Sequence, residues 1–337
     1  MAAVDIKDEI NNFCDFIGKD PLLVQGAGGN VSYKINNKLW IKASGTSLGE
    51  AKKKDIFVPL DLNEIRRELN NHNFDYKPYV INQSKLRPSI ETLMHALMPH
   101  KIVVHLHAVD ILSYLVRKNL SKVDDKINGV NSIFIEYFKP GSELAEAIFH
   151  KLEGKNNINT IFLKNHGIVF GAEDINEINS ILRTLLEFFQ IRPLNNFEPV
   201  KVIEDDSEFR SLDYKQTDNK KINSLVIKPN LAKRLKKDWA ICPDHVVFLG
   251  EEAALIENPN DLSTLRRGDN LPPYIFYLNH GVFEQSKINK TQEEQLLCYC
   301  DVLLRQSDNE ILDTLNSSQI KELLDWDAEK YRKKLQD

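Results

Sequence analysis

The segment from Arg87 to His107 constrains this chain more than any other. Its sequence is RPSIETLMHALMPHKIVVHLH, and His105 and His107 end an apolar run that predicts a strand. Residues two apart in a strand point to the same face, so both imidazoles should project into one space. Glu91 lies upstream in a predicted helix, four residues from His95 and therefore on its face. A carboxylate near such a histidine pair indicates a metal site with an acid/base beside it, for which a third ligand is still needed.

A candidate for that third ligand, His166, lies in the stretch IFLKNHGIVFG at 161–171. Two apolar half-strands flank the Asn-His-Gly sequence, so this histidine should face whatever lies at the end of the sheet. Three neutral imidazoles are a common ligand set for a catalytic divalent metal with open positions, usually zinc. Such a metal can chelate a carbonyl oxygen and a neighbouring hydroxyl of a sugar-like substrate and stabilise an enediolate. Glu91 would then shuttle the proton as general base and acid.

Each of these features also has a purely structural interpretation. A His-x-His pair on a strand is more often structural than metal-binding, and Asn-His-Gly is a plausible turn. Glu91 alone fits the first turn of a helix, where the helix dipole favours a carboxylate. We interpret His95 as a neighbour of the ligands or a core residue. The order and the context of the features favour the joint interpretation.

Two short loops rich in small residues precede this segment. The first is GAGG at 26–29 and the second is SGTS at 44–47, and a hairpin signal, Asn36-Asn37, lies between them. Together with Ser89, which can cap the following helix, the loops could face one phosphate or hydroxylated ligand. The first loop is not a dinucleotide fingerprint, because a strand rather than a helix follows it. A pair of tight hairpin turns explains the same residues without a ligand.

Composition and charge exclude several classes of protein. The chain has 337 residues, a net charge of -5 and 42% hydrophobic residues, which is ordinary for a globular protein. It has no basic stripe, which argues against a nucleic-acid partner, and no apolar run long enough to span a bilayer. Its first residues lack an apolar signal core, and its four cysteines are too scattered for a disulfide framework. We therefore expect a cytoplasmic protein with no membrane partner.

The length suggests two domains, or one large domain with an appendage. Residues 191–222 are poor in apolar residues and predict a link, so we divide the chain into a metal-binding domain at 1–195 and a C-terminal unit at 196–337.

The C-terminal unit is predicted to be a degenerate repeat of the first. The matching pairs are CPDHVVFLG at 242–250 with MPHKIVVHLH at 98–107, and IFYLNHGVF at 275–283 with IFLKNHGIVF at 161–170. With the Val-Val pairs aligned, Phe248 and Gly250 stand where His105 and His107 stand in the first unit. The repeat therefore lacks the histidine pair, and its own His280 should bind no metal.

Six short signatures occur in a fixed order between about residue 22 and residue 190. They are GGNVS (28–32), KASG (42–45), RPSIETLMH (87–95), VVHLH (103–107), KPGS (139–142) and LKNHGIVFG (163–171). This stretch resembles the class II aldolase/adducin family, typified by fuculose-phosphate and rhamnulose-phosphate aldolases and ribulose-phosphate 4-epimerase. The C-terminal unit is similar to the longer branch of that family.

The resemblance implies a fold and a set of site residues. The implied fold is a three-layer αβα sandwich around a mostly antiparallel central sheet, here followed by a smaller C-terminal α/β unit. The implied roles are zinc ligation by His105, His107 and His166, acid/base catalysis by Glu91, a substrate or phosphate cradle of Gly29, Asn30, Ser44, Gly45 and Ser89, and protonation of the aldehyde oxygen by Tyr137. The family's aldolases often have two serines before the glutamate, whereas this chain has Ser89-Ile90, which weakens the phosphate site.

The expected function is that of a zinc-dependent lyase, with another divalent metal possible, that cleaves a ketose or ketose phosphate through a metal-stabilised enediolate. The same site could instead serve an epimerase, a dehydratase or a decarboxylase. A non-catalytic adducin-like interaction module is the alternative from another class, but the retained histidines and glutamate favour an enzyme. The expected partner is a small sugar or sugar phosphate, and the family implies a homo-oligomer. The sequence does not decide whether the C-terminal unit caps the pocket or covers an interface.

Overall fold

The first half of the chain forms a mixed, mostly antiparallel sheet. The computed structural model describes residues 3–81, 84–124, 126–194, 197, 200, 203, 206–262 and 271–335. Within those ranges the sheet has seven strands: β1 (Asn30–Ile35), β2 (Lys38–Lys42), β3 (Phe57–Asp61), β4 (Ile102–Leu106), β5 (Ser132–Ile135), β6 (Thr160–Leu163) and β7 (Gly167–Ala172). Their order is β3-β2-β1-β4-β7-β6-β5, and each neighbouring pair is antiparallel except β5 and β6. The predicted mostly antiparallel sheet is confirmed.

Helices cover both faces of this sheet. They are α1 (Ala3–Ile17), α2 (Leu62–Asn70), α3 (Thr92–Leu97), α4 (Val109–Leu115), α5 (Ser142–Leu152) and α6 (Ile175–Phe189). Helices α1, α4 and α6 cover one face of the sheet, where they pack with Val104. Helices α3 and α5 cover the other face, where they pack with Val103. Helix α2 packs on the outer strands of that second face. Because neighbouring residues of a strand point to opposite faces, the two valines of β4 belong to two separate apolar layers. This arrangement is the predicted three-layer αβα sandwich.

The C-terminal unit is a smaller α/β structure. In the described residues its sheet has four strands, in the order β8-β11-β10-β9: β8 (Tyr214–Gln216), β9 (Ala254–Ile256), β10 (Tyr274–Tyr277) and β11 (Gly281–Gln285). Its helices are α7 (Ser207–Arg210), α8 (Lys220–Ile227), α9 (Pro229–Lys237), α10 (Pro243–Leu249), α11 (Lys290–Leu303), α12 (Ser317–Leu324) and α13 (Asp327–Lys334). The boundary predicted at 195/196 lies outside the described residues and stays a prediction.

The two units share a hydrophobic core. Val109, Leu112 and Val116, in and just after α4, pack in one cluster with buried residues of α8 and α11. Helix α4 is therefore packed between the two sheets, with one side against each unit. The side chain of Arg305 also reaches across to Asp110 over 2.5 Å. The units are therefore joined by apolar packing and by this largely buried ion pair.

The C-terminal unit repeats part of the first, but not with the alignment that the sequence suggested. The pair β10 and β11, with its Asn279-His280-Gly281 turn, matches β6 and β7, and Asn279 and Asn165 both have positive φ. The predicted match of 242–250 to strand β4 is wrong, because residues 243–249 form helix α10. Pro243 occupies the first turn of that helix, where its fixed φ and missing N–H cost nothing.

The true counterpart of β4 is β8, the strand beside β11. His105 of β4 lies opposite Val169, two residues after Gly167, and Gln216 of β8 lies opposite Phe283, two residues after Gly281. Gln216, not Phe248, therefore occupies the position of His105. The inference that the repeat lacks the histidine pair still holds on this corrected alignment.

No helix in the described ranges has the length and apolar character that crossing a bilayer requires. Residues 22–25 form no strand and lead through a turn into the glycine loop.

Candidate metal centre and active site

Three histidines from separate elements converge at one end of the central sheet. His105 lies one residue before the end of β4, His107 follows that strand, and His166 lies in the turn between β6 and β7. One ring nitrogen of each lies within 4.8 Å of those of the other two, and all three residues are buried. Strand alternation brings the first pair together, and the antiparallel pairing of β4 with β7 brings the third. The structure thus brings together the three histidines that the sequence predicted as metal ligands, in a cluster that could bind a metal.

The hydrogen bond of His105 leaves the lone pair of its Nε2 facing the other imidazoles. His105 Nδ1 is 3.0 Å from the carbonyl oxygen of Ile168, so this nitrogen carries the proton and Nε2 keeps its lone pair. His105 Nε2 lies 3.1 Å from His107 Nε2. Two nitrogens bound tetrahedrally to one zinc at about 2.0–2.1 Å would lie roughly 3.3 Å apart. The donor atoms and their spacing therefore fit a divalent cation.

Glu91 lies against this nitrogen cluster. Its Oε2 is 3.4 Å from His105 Nε2, and its Oε1 is 3.3 Å from His166 Nε2. Oε1 is buried and has no hydrogen-bond partner in the part of the chain that the structure describes. An unpartnered buried carboxylate oxygen is costly, so a proton or a cation is expected to meet it here.

The electrostatics favour an ionised carboxylate beside neutral imidazoles. Burial opposes the charged form of Glu91, but the His105 and His166 imidazoles and a hydrogen bond from Asn30 outweigh it and lower its pKa to about 2. Burial lowers the pKa of His105, and it lowers the pKa of His166 to about 3. Neutral imidazoles and an ionised carboxylate are the forms that bind a divalent cation.

His95 stands behind the ligands rather than among them. It is fully buried, its Nδ1 is 2.8 Å from Ser32 Oγ, and its Nε2 is hydrogen-bonded to the side-chain oxygen of Asn30. Burial lowers its pKa to about 3, so it is neutral. The expectation of a neighbouring core histidine agrees with this position. Its link to Asn30 connects it to Glu91, which Asn30 also contacts.

The residues of the predicted cradle line a single pocket. Gly29, Asn30, Ser44, Gly45 and Ser89 surround it together with Glu91, His107 and His166. The structure brings all five together, and their role in binding a substrate remains a proposal.

The first glycine loop is held close to the strand that carries the ligands. Gly29 has a φ of +57°, and a Cβ there would lie 2.8 Å from the carbonyl oxygen of His105. Only glycine therefore allows the loop to approach β4 this closely.

Lys42 ties the two loops together and was missed as a site residue. Its buried Nζ donates to the carbonyl oxygens of Ala27, in the first loop, and Thr46, in the second, at 3.0 and 2.6 Å. Burial lowers its pKa to about 7. The only signal in the sequence was its place in the KASG signature.

Tyr137, which the resemblance placed in the mechanism, does not line this pocket. Its ring packs against an apolar cluster formed by α10 and α12, which includes Val246, Phe248 and Leu323. Its hydroxyl is buried and has no partner among the described residues, and burial raises its pKa. We therefore leave Tyr137 out of the proposed chemistry.

The C-terminal unit also contributes to the pocket, which the sequence left undecided. Pro243, Asp244, Glu329 and Arg332 line it opposite the cradle. Arg332 Nη2 is 2.6 Å from Asp244 Oδ1, and its Nη1 is 3.3 Å from Glu329. Burial opposes the charge of Asp244, but Arg332 and His107 hold its pKa well below the usual range, whereas burial raises the pKa of Glu329. The C-terminal unit of the same chain therefore caps the pocket with charged residues, in which the positive Arg332 lies between the acidic Asp244 and Glu329.

Comparison with known proteins agrees with this geometry. The family model for the class II aldolase and adducin N-terminal domain matches residues 12–192, more than half of the chain. The chain belongs to this family. The match covers the sheet, all three histidines and Glu91, and it ends before the C-terminal unit.

Named relatives include an aldolase. The chain is 31% identical over 186 residues to an L-fuculose phosphate aldolase of Methanococcus maripaludis. The aligned stretch covers 52% of this chain and 91% of that enzyme. It is 30% identical over 175 residues to a Bacillus subtilis protein named as an uncharacterized oxidoreductase, and it spans only 25% of that longer protein. A solved class II aldolase domain from Thermoplasma acidophilum is 26% identical, with a TM-score of 0.46 over 56% of this chain and 93% of that one.

Proposed function

We propose that this protein is a divalent-metal-dependent lyase, with zinc as the expected metal, that cleaves a ketose or a ketose phosphate by retro-aldol chemistry. The observation that carries the proposal is the position of Glu91, an ionised carboxylate with both oxygens 3.3–3.4 Å from imidazole nitrogens of the ligand cluster. His105, His107 and His166 would hold the metal. When bound, the cation would polarise a substrate carbonyl and stabilise the enediolate that remains when the carbon–carbon bond breaks.

Glu91 is placed to move the proton that the reaction requires. In cleavage the ionised Glu91 would take up the hydroxyl proton as the neighbouring carbon–carbon bond breaks and the aldehyde leaves. The electron pair of the broken bond stays on the ketone half, and the protonated Glu91 would then deliver its proton to that carbon and return to the carboxylate form. In the direction of condensation its carboxylate would remove the same proton. Asn30 would hold Oε2 and leave Oε1, which has no hydrogen-bond partner among the described residues, for the transfer.

The cradle would orient the rest of the substrate. Ser44 and Ser89 offer hydroxyls, and the glycine loop offers close approach of its backbone to a phosphate or a hydroxyl group. The same pocket is also lined by two basic residues, Lys42 and Arg332, and two acidic residues, Asp244 and Glu329. A substrate that combines hydroxyl groups with one anionic group matches this mixed lining.

The similarity to the Methanococcus fuculose-phosphate aldolase supports cleavage rather than another use of the same metal site. The first test is an assay for aldehyde release: protein loaded with zinc is incubated with ketose 1-phosphates and free ketoses, and aldehyde products are measured. Release of lactaldehyde, glycolaldehyde or glyceraldehyde is the expected result. Failure to release any aldehyde from the whole panel contradicts the lyase assignment.

A second measurement separates cleavage from enediolate formation. The ketone half alone, dihydroxyacetone phosphate or dihydroxyacetone, is incubated with the enzyme in deuterium oxide and followed by proton NMR. Exchange at carbon without any aldehyde product from the panel would favour an epimerase or a related enzyme. Absence of bound metal, with no change on His105→Ala, would favour a non-catalytic module instead.

A further inference from the structure

We propose that Asp244 of the C-terminal unit positions His107 for metal binding, so that the second unit completes the metal centre within the same chain. The inference rests on the metal centre proposed above. Asp244 lies in the first turn of α10 and is 3% exposed. Its Oδ2 is 3.3 Å from Nδ1 of His107, the ring nitrogen that faces away from His105.

This contact decides which nitrogen of His107 keeps its lone pair. A carboxylate accepts but cannot donate, so the proton of a neutral His107 belongs on Nδ1. Nε2 is then unprotonated, and it is the nitrogen that lies 3.1 Å from His105 Nε2. Metal-binding histidines commonly donate their second nitrogen to a carboxylate, which fixes the ring and makes the ligand more basic. Asp244 is therefore a positioning residue and not a ligand itself.

Asp244 is itself held rigidly. Its Oδ1 accepts from Arg332 of α13 at 2.6 Å, and its Oδ2 also accepts from Gln295 of α11 at 3.3 Å. Three helices of the C-terminal unit thus fix one carboxylate, which is the arrangement needed to orient a ring. An exposed carboxylate that rotates freely would not fix the orientation of the imidazole ring.

The first glycine loop leaves room for the contact. A Cβ at Gly28 would lie 3.1 Å from Asp244 Oδ2 and 3.2 Å from His107 Nδ1. Both separations are tighter than ordinary packing, so a side chain there would press on the two atoms that meet. Gly28 does not have a positive φ, so the need for glycine here comes from space and not from backbone conformation.

The C-terminal unit also holds a second ligand. Asn165, next to His166, adopts a left-handed conformation, and its side-chain amide donates to the carbonyl oxygens of Ile241 and Asp313 at 2.9 and 2.8 Å. His105, in contrast, donates to a carbonyl of β7 in the first unit. Two of the three ligands therefore depend on the second unit for their position.

The test measures zinc affinity by competition with a fluorescent chelator, in the full chain. Removal of an outer carboxylate commonly weakens metal binding by roughly 10- to 100-fold, and we expect a loss of that size for Asp244→Ala. Asp244→Asn keeps an acceptor for Nδ1 and should recover part of the affinity. Because Asp244→Ala leaves the buried Arg332 without its closest carboxylate, the double variant Asp244→Ala/Arg332→Met is compared with Arg332→Met alone. Cobalt-substituted protein should show a shifted d–d spectrum in the variants that lack Asp244.

Asp238→Asn is the matched control. Asp238 is another buried carboxylate of the same unit, paired with Arg234 at 2.7 Å and not part of the pocket lining. It should lose stability without losing zinc affinity. Unchanged affinity and spectrum in every Asp244 variant, with zinc binding lost in His105→Ala, would overturn this inference and leave the proposed metal centre intact. A wild-type protein that binds no divalent metal would overturn both.

Discussion

The side-chain amide of Asn30 donates a hydrogen bond to Oε2 of Glu91 over 2.8 Å, while its carbonyl oxygen is hydrogen-bonded to His95. Asn30 begins β1, the strand that pairs with β4, so the sheet itself fixes the distance between the carboxylate and the ligands. The amide therefore positions the proposed acid/base as well as lining the pocket.

Asn30→Ala should lower turnover while leaving metal content close to that of the wild type. A hydrogen bond to a charged group contributes roughly 1.5–3 kcal/mol, which corresponds to about 10- to 100-fold in rate if it acts mainly in the transition state. Steady-state kinetics and metal analysis measure the two effects separately. Asn223→Ala is the control, because Asn223 is equally buried and hydrogen-bonded but lies in the C-terminal unit. Equal losses of turnover in both variants would remove Asn30 from the mechanism.

Glu91→Gln should retain the metal and lose turnover by roughly 100-fold or more, the usual scale for a general acid/base. The amide keeps the size of the side chain but cannot take up a proton. Glu143→Gln, at an exposed position at the start of α5, should behave like the wild type. Near-normal turnover of Glu91→Gln, measured with the same substrate, would contradict the assigned role.

The ligand set could be predicted from sequence because local rules bring it together. Strand alternation joins His105 to His107, and the Asn-His-Gly turn presents His166 at the end of the sheet. Asp244 could not be found in this way. It lies in a short run, CPDHVVFL, in which every residue is buried, and such a run does not distinguish a strand from a helix.

The role of Tyr137 came from family resemblance alone, and its packing in this chain lends that role no support. The ring that the resemblance placed beside the substrate lies against α10 and α12, elements that the family match does not include. The family match ends at residue 192, so it carries no information about which surfaces the residues after 192 cover.

His105→Ala and His280→Ala should have opposite effects on the metal. The first removes a ligand and should abolish tight zinc binding, and the protein should no longer gain thermal stability when zinc is added. His280 is exposed, stacks on Tyr277 and has Gln216 on the neighbouring strand instead of a histidine. Metal analysis after dialysis measures both variants. Loss of zinc in His280→Ala would show that the site has been misplaced.

Lys42→Met should raise KM and lower stability together. The change leaves the carbonyl groups of Ala27 and Thr46 without their buried donor, at a cost of roughly 1–3 kcal/mol, and it releases the two loops of the cradle. Lys34→Met is the matched control, since Lys34 Nζ also donates to two carbonyl oxygens, those of Met98 and His100, but does not line the pocket. Both variants should be less stable in denaturant titrations, whereas only the Lys42 variant should bind substrate more weakly. A raised KM in both would mean that general destabilisation explains the effect.

Lys34 should also make stability depend on pH. Burial, with a smaller effect of Arg66, lowers its pKa in the folded protein to about 7, whereas a lysine in the unfolded chain has a pKa of about 10.4. Between these values the unfolded chain binds the proton more readily than the folded one, so the wild type should lose stability as the pH falls from about 10 to 7. Lys34→Met cannot take up this proton, and its unfolding free energy should fall less steeply over the same range. Urea titrations at several pH values measure the two slopes, and parallel slopes would show that Lys34 keeps an ordinary pKa in the folded state.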